Sequence, residues 1–447
     1  MPSVIYLFQS KKRKASTMIK NKATPRWLRL DNAAKIYPAA RNDNWSNIFR
    51  LSATLYESVD TDILSDALKV TVKRFPSIAA RLRRGAFWYY LERLNSAPEI
   101  KEDLSYPLTK MSKRETKKCA FRVLVYKNRI AVEFFHSLTD GTGGLIFLKS
   151  LVAEYIERKH SVKIPAECGV LDRNEEPKES ELADSFQDNV GAIKAPRSSS
   201  TAWHLDGTPE KNGFLDLTCF KINTADALSA AHKHGVSLTV FLSAVLMQAL
   251  ANWQAECVPT QKRRKPIKLL IPVNLRNIFP SDTLRNFAFY IVPELLPSLG
   301  EYSFDEICRV ISAKMLTEIT PKHMSMNIAT NVGSERMAIV RVMPLFIKNF
   351  VMKAIYDAVG ERTSCLSMSN LGAVKLPEIM KPYIERFDFI LGVQATTPYN
   401  CGVISYGDTL CINFIRDIKE SPLELHFHKV LQSHGITSEV ESNRGCK

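Results

Sequence analysis

The stretch of this chain best suited to proton transfer is His136-Ser137-Leu138-Thr139-Asp140-Gly141. An imidazole exchanges its proton near neutral pH because its ordinary pKa is about 6.5. Asp140 is poorly placed to relay a proton directly if the chain turns sharply here. It fits better as an anchor that pairs with an arginine from elsewhere and fixes the loop. Gly141 and Gly143 leave room for a substrate or for unusual backbone angles. Taken alone, His-x-x-x-Asp-Gly is also what a plain turn with a satisfied histidine looks like.

The flanking elements favour the chemical reading. Residues 121–125 and 130–135 read as two strands with Lys127-Asn128 at a tight turn, so the second strand delivers His136 to its C-terminal end. After it, Thr142-Gly143-Gly144 opens a segment with Leu145, Leu148, Leu151, Val152, Tyr155 and Ile156 at helical spacing. Strand, histidine, turn and helix together present an imidazole on rigid supports, as a positioned general base requires.

The stretch resembles the active-site motif of the acyltransferase superfamily that includes chloramphenicol acetyltransferase, nonribosomal peptide condensation domains and alcohol acetyltransferases. Other segments are similar to alcohol-acetyltransferase-like members in the same order: Trp27-Leu-Arg-Leu-Asp31, Val72-Lys-Arg-Phe-Pro-Ser77, Ile271-Pro-Val-Asn-Leu-Arg276, Arg285-Asn-Phe287 and Ser367-Met-Ser-Asn-Leu-Gly372. Phe135 stands where condensation domains usually carry a first histidine, and the histidine that works in this superfamily matches His136. Of the late Asp-Phe-Gly-Trp-Gly of the plant enzymes, Asp388-Phe-Ile-Leu-Gly392 keeps only the frame.

The resemblance implies an α/β fold of two chloramphenicol-acetyltransferase-like subdomains with mixed sheets, and a channel between them holding His136. It also implies that Arg276 pairs with Asp140, and that Ser367, Ser369 and Asn370 lie on a strand near the channel. Any of these three, or a backbone amide, could donate to a developing oxyanion; ordinary sheet-and-turn chemistry is the competing reading.

The chain divides into a basic, disordered tail at 1–24, an N-terminal subdomain at 25–190, a crossover linker at 191–213 and a C-terminal subdomain at 214–447. At 447 residues it is long enough for two such cores. Its nine cysteines are scattered, with no Cys-x-x-Cys pair, which points to reduced thiols, a cytoplasmic home and no structural metal site. His232 and His234 read as exposed helix-end residues. Trp88 and Tyr90 read as core or sheet-face packing ahead of a channel lining. Residues 236–253 read as a buried central helix despite their apolarity, so no membrane span is expected.

The formal net charge of +15 favours anionic partners. Zinc-finger spacing, a basic heptad region and ribonucleoprotein motifs are missing, so nucleic acid is not the expected partner. The phosphates of coenzyme A or an acidic carrier protein would serve, and an anionic membrane surface stays open. Lys262-Arg263-Arg264-Lys265 is a candidate for a coenzyme A phosphate, against the reading of a solvated turn.

The expected function is transfer of an acyl group from acyl-coenzyme A, used as co-substrate, to an alcohol or amine by a monomer without a resident cofactor. His136 would be the general base, with Asp140 and Gly141 completing the motif. Two alternatives are a condensation-like enzyme that takes its donor from a carrier protein, and an inactive binding module of the same fold.

Overall fold

In the computed structural model, residues 25–40, 47–103, 106–194, 200–336, 340, 342–355, 363–394 and 397–444 are described. The expected tail at 1–24 lies outside them. The strands fall into three sheets, numbered here along the chain. A small sheet has the order β1 (Trp27–Arg29), β4 (Tyr89–Arg93), β3 (Ala80–Arg84). A five-stranded sheet runs β13 (Ile384–Ile390), β2 (Ile48–Leu55), β7 (Arg129–Phe135), β6 (Phe121–Tyr126), β5 (Lys101–Glu102).

The eight-stranded sheet runs β10 (Ala288–Ile291), β9 (Ile267–Asn274), β12 (Leu366–Ala373), β14 (Tyr399–Tyr406), β15 (Thr409–Arg416), β8 (Asp216–Asn223), β16 (Glu439–Ser442). A short β11 (Glu294–Leu295) also pairs with β9. Parallel and antiparallel pairs coexist: β12 runs parallel to β9 and β14, and β14, β15 and β8 are antiparallel. The mixed sheets and their covering helices are the expected α/β architecture.

β7 is central because its sequence suits burial on both sides. Ile130, Val132 and Phe134 enter the first hydrophobic core. Glu133, on the opposite face, is buried but fully engaged: it accepts from Arg50 Nη1 at 3.2 Å, Arg122 Nε at 2.5 Å and the Leu108 amide at 2.7 Å. A buried carboxylate survives only with such partners. Lys127 adopts φ +52° in the two-residue loop between β6 and β7, as a tight hairpin demands.

The eight-stranded sheet faces two cores. Phe220, Ile222, Ile412 and Phe414 enter the second core with the Leu238–Cys257 helix. Cys219, Cys411 and Ile415 enter the first. The Leu238–Cys257 helix is long and apolar enough to cross a membrane by length and composition, and 67% of its apolar window is buried here.

The two halves interlock. β13 comes from the second half of the chain yet forms the edge of the first half's sheet, pairing antiparallel with β2. Residues 179–188 form two short helical pieces, Glu179–Leu182 and Ser185–Asp188.

Candidate active site

His136 directly follows β7, and its amide donates to the Asn47 carbonyl at 2.8 Å, which continues the β2–β7 pairing by one residue. Asn47 takes φ +54°, a conformation asparagine tolerates better than most residues, and so turns the chain where β2 begins. Tyr37, from the Ile36–Ala40 helix, stacks on the imidazole with centroids 4.4 Å apart and planes at 17°. The Phe49 ring meets its edge at 5.0 Å.

Asn286 sets the ring's proton. Its Nδ2 donates to the His136 carbonyl at 3.0 Å and to Asp31 Oδ2 at 3.2 Å, so its Oδ1 must be the acceptor facing His136 Nδ1, 3.0 Å away. The imidazole Nδ1 therefore carries the hydrogen, and Nε2 keeps its lone pair. Asp31 is fixed in turn by the Ala34 amide at 2.7 Å and the Arg285 guanidinium at 3.7 Å. Burial pushes the His136 pKa below its ordinary value, against the opposing pull of Asp140, Asn286 and Asp31. The resting ring is neutral and can accept a proton.

Asp140 does not touch the ring. It caps the Gly141–His160 helix through Oδ1, which accepts from the Gly143 amide at 3.0 Å. Its Oδ2 accepts from Arg276 Nη1 at 2.7 Å and from the Phe287 amide at 2.8 Å. Arg276 also donates to the Thr283 and Arg285 carbonyls, at 2.8 Å and 2.6 Å through Nη2. One guanidinium thus ties the histidine loop to the loop that carries Asn286.

The glycines leave no vacant room, which corrects the expectation for them. A Cβ on Gly143 would stand 2.2 Å from Thr139 Oγ1 and 2.3 Å from the Leu284 carbonyl oxygen. One on Gly141 would stand 2.7 Å from Leu371 Cδ2. Both positions are helical, and at Gly143, where the obstacle includes backbone, close packing of protein on protein is what demands glycine; at Gly141 the obstacle is a movable leucine tip.

The three serine and asparagine candidates separate by face. Leu366 and Met368 enter the second core, so Ser367, Ser369 and Leu371 occupy the alternate face of β12, and Leu371 abuts Gly141. Asn370 points the other way, donating to Thr239 Oγ1 at 3.0 Å. Ser369 is half-buried on the Leu371 face, two residues before the contact with Gly141.

The basic run lies at the opposite end of β9 from the histidine loop. Lys262, Arg263 and Lys265 are exposed before the start of β9, and Arg264 is spent on the Val258 carbonyl at 2.9 Å. It is the far end of β9 that reaches the histidine loop, where Asn274 donates to Thr142 Oγ1 at 3.2 Å. Eight extended residues place the two ends roughly 23 Å apart.

Two cavities adjoin the segment that carries Asp31. One of about 550 Å³ is walled by Trp27, Trp88, Tyr89 and Tyr90 with Arg29 and Lys35, so Trp88, just before β4, and Tyr90, in β4 of the small sheet, face a cavity. The second, about 290 Å³, shares Arg29 and Lys35 and extends to Asp184 and Arg285. His136 is in the wall of neither, and the residue keeps only part of its surface exposed. His234 departs from its expected exposed setting: it pairs with Asp305 at 2.7 Å and with His434 at 3.2 Å.

Asn286, Asp31 and Tyr37 had no assigned role in the sequence reading. The available signal was the polar doublet Arg285-Asn286 set between apolar Leu284 and Phe287, since a buried amide there must find partners for all its groups.

No family model and no curated protein matches the chain. Its structure does resemble solved ones. Fusarium graminearum TRI101, complexed with coenzyme A and T-2 mycotoxin, superposes with a TM-score of 0.63 at 10% identity, covering 92% of this chain and 99% of that one. TRI3 trichothecene 15-O-acetyltransferase from Fusarium sporotrichioides gives 0.58 at 11% identity, over 91% and 95%. The first condensation domain of the CDA synthetase gives 0.57 at 11% identity, over 92% and 97%. The chain has the fold shared by coenzyme A-dependent acyltransferases and condensation domains.

Proposed function

We propose that this chain transfers an acyl group from a coenzyme A thioester to an alcohol or amine, with His136 Nε2 as the general base. The observation that carries the reading is the hydrogen bond from His136 Nδ1 to Asn286 Oδ1, because it leaves Nε2 unprotonated in a neutral ring. As the acceptor oxygen or nitrogen attacks the thioester carbonyl, Nε2 takes its proton. The tetrahedral oxyanion collapses, the carbon–sulfur bond breaks, and the imidazolium returns the proton to the departing thiolate. Ser369 is our choice of oxyanion donor. A thioester is already activated, so positioning supplies much of what remains and no covalent enzyme intermediate is needed.

The acetyltransferase and coenzyme A-bound relatives in fold support a free coenzyme A donor and a small hydroxylated acceptor. The condensation-domain likeness together with the +15 charge supports a second reading, a donor tethered to an acidic carrier protein. The test is thiol release with acyl-coenzyme A or acyl-carrier, crossed with alcohols and amines. Release that is lost in His136→Ala supports transfer, and equal release by wild type and variant ends it.

A further inference from the structure

The five- and eight-stranded sheets meet where β13 packs on β14 and β15, and a polar cluster is buried in that seam. Cys219 of β8 and Cys411 of β15 come from one sheet, Asp388 of β13 from the other. The two sulfurs and a carboxylate oxygen lie within 4.8 Å of one another. All three residues are buried, at 4%, 1% and 6% exposure.

A fourth residue points to a ligand independently. Asn413 stands directly opposite Cys219 in the β15–β8 register and two residues from Cys411, so it shares their face. It is 1% exposed, yet among the described residues neither its Oδ1 nor its Nδ2 meets a hydrogen-bond partner. Buried amides without partners are rare because their desolvation goes uncompensated.

We propose that Cys219, Cys411 and Asp388 form a buried zinc site, with the Asn413 amide oxygen as fourth ligand or as acceptor from a zinc-bound water. Zinc takes four ligands tetrahedrally, at about 2.3 Å to sulfur and 2.0–2.2 Å to oxygen, which sets neighbouring donors about 3.5–3.8 Å apart. Donors already within 4.8 Å reach that spacing by side-chain adjustment. Two thiolates select zinc over magnesium or calcium. Binding displaces one proton from each thiol to solvent, so a divalent ion with two thiolates and a carboxylate carries a net charge of about −1. Arg386, with Nε 3.2 Å from Asp388 Oδ2, compensates that charge and leaves the other carboxylate oxygen for the ion.

Such an ion would fasten β13 to the large sheet. Beside Asp388 stands Phe389, whose ring meets Phe49 at 6.3 Å, and Phe49 meets His136.

The full chain, purified without chelators, should contain about one zinc per molecule by elemental mass spectrometry. After chelation, added cobalt should give a near-ultraviolet thiolate-to-cobalt charge-transfer band that saturates at about one equivalent. Both signals should vanish in the Cys219→Ser/Cys411→Ser double variant, with folding checked by gel filtration. Asn413→Ala should weaken cobalt binding about 10- to 100-fold. The wild-type measurements stand whether or not a variant folds. Wild type free of zinc and without a cobalt band overturns the site. So does a band surviving in the double variant, or a Cys219–Cys411 disulfide found by peptide mass spectrometry in the purified chain.

Discussion

Asn286 grips His136 at two points: Oδ1 accepts from the ring Nδ1, and Nδ2 donates to the same residue's carbonyl oxygen, each at 3.0 Å. The amide fixes ring orientation and tautomer without adding charge. It stands where many proton-transfer sites place a carboxylate; burial lowers the imidazole pKa, and the amide, which pulls it upward, does not cancel that effect.

Asn286→Leu frees the ring and should lower kcat about 100-fold while leaving KM little changed. Asn286→Asp keeps the shape but favours the imidazolium, so the acid limb of the kcat/KM profile should move to higher pH. Steady-state thiol release across pH measures both.

For the unaltered chain the pH profile has a fixed sign. His136 titrates below its ordinary value, so activity should persist down through about pH 6.5 and fall only below it. Stability follows the same direction. The unfolded chain takes up the proton near pH 6.5 and the folded one only at lower pH. The contribution is therefore complete above about 6.5 and is lost as pH falls, at up to about 1.4 kcal/mol per pH unit. Thermal melts of wild type and His136→Gln between pH 8 and about 5.5 should diverge in that sense.

Arg276→Met leaves Asp140 buried without its cation and strands the Thr283 and Arg285 carbonyls. Breaking a buried pair costs about 3–5 kcal/mol, so denaturant melts should shift by that order. Arg276→Lys should recover only part, because a single ammonium cannot replace the planar fork that spans both loops.

Gly143→Ala forces a methyl against Thr139 Oγ1 and the Leu284 carbonyl. Shifting backbone rather than a side-chain tip should cost about 1–3 kcal/mol, and activity should fall with it as the histidine loop moves. A double variant with Thr139→Ala relieves only the hydroxyl contact and should rescue stability in part.

Elements announced by neighbouring residues were legible. The β6–β7 hairpin, the helix after Asp140 and the apolar helix expected at 236–253 all carry local turns or apolar spacing. Contacts between distant segments were not legible. Nothing near residues 384–390 says that they pair with residues 48–55, and nothing near Asn286 says that its amide will meet His136. Composition carries no distance, so the separation of the Lys262–Lys265 run from the histidine loop was not legible either. His234 looked exposed because its partners, Asp305 and His434, come from other helices.

β13 has a consequence for how the molecule is made. As the ribosome extrudes the chain, Ile48–Leu55 must wait with one side unpaired until residues 384–390 emerge, so the nascent sheet stays open for most of translation. A product cut short before residue 384 would offer that open side to strands of other chains and aggregate, and a synthetic peptide spanning residues 384–390 is the natural complement to it.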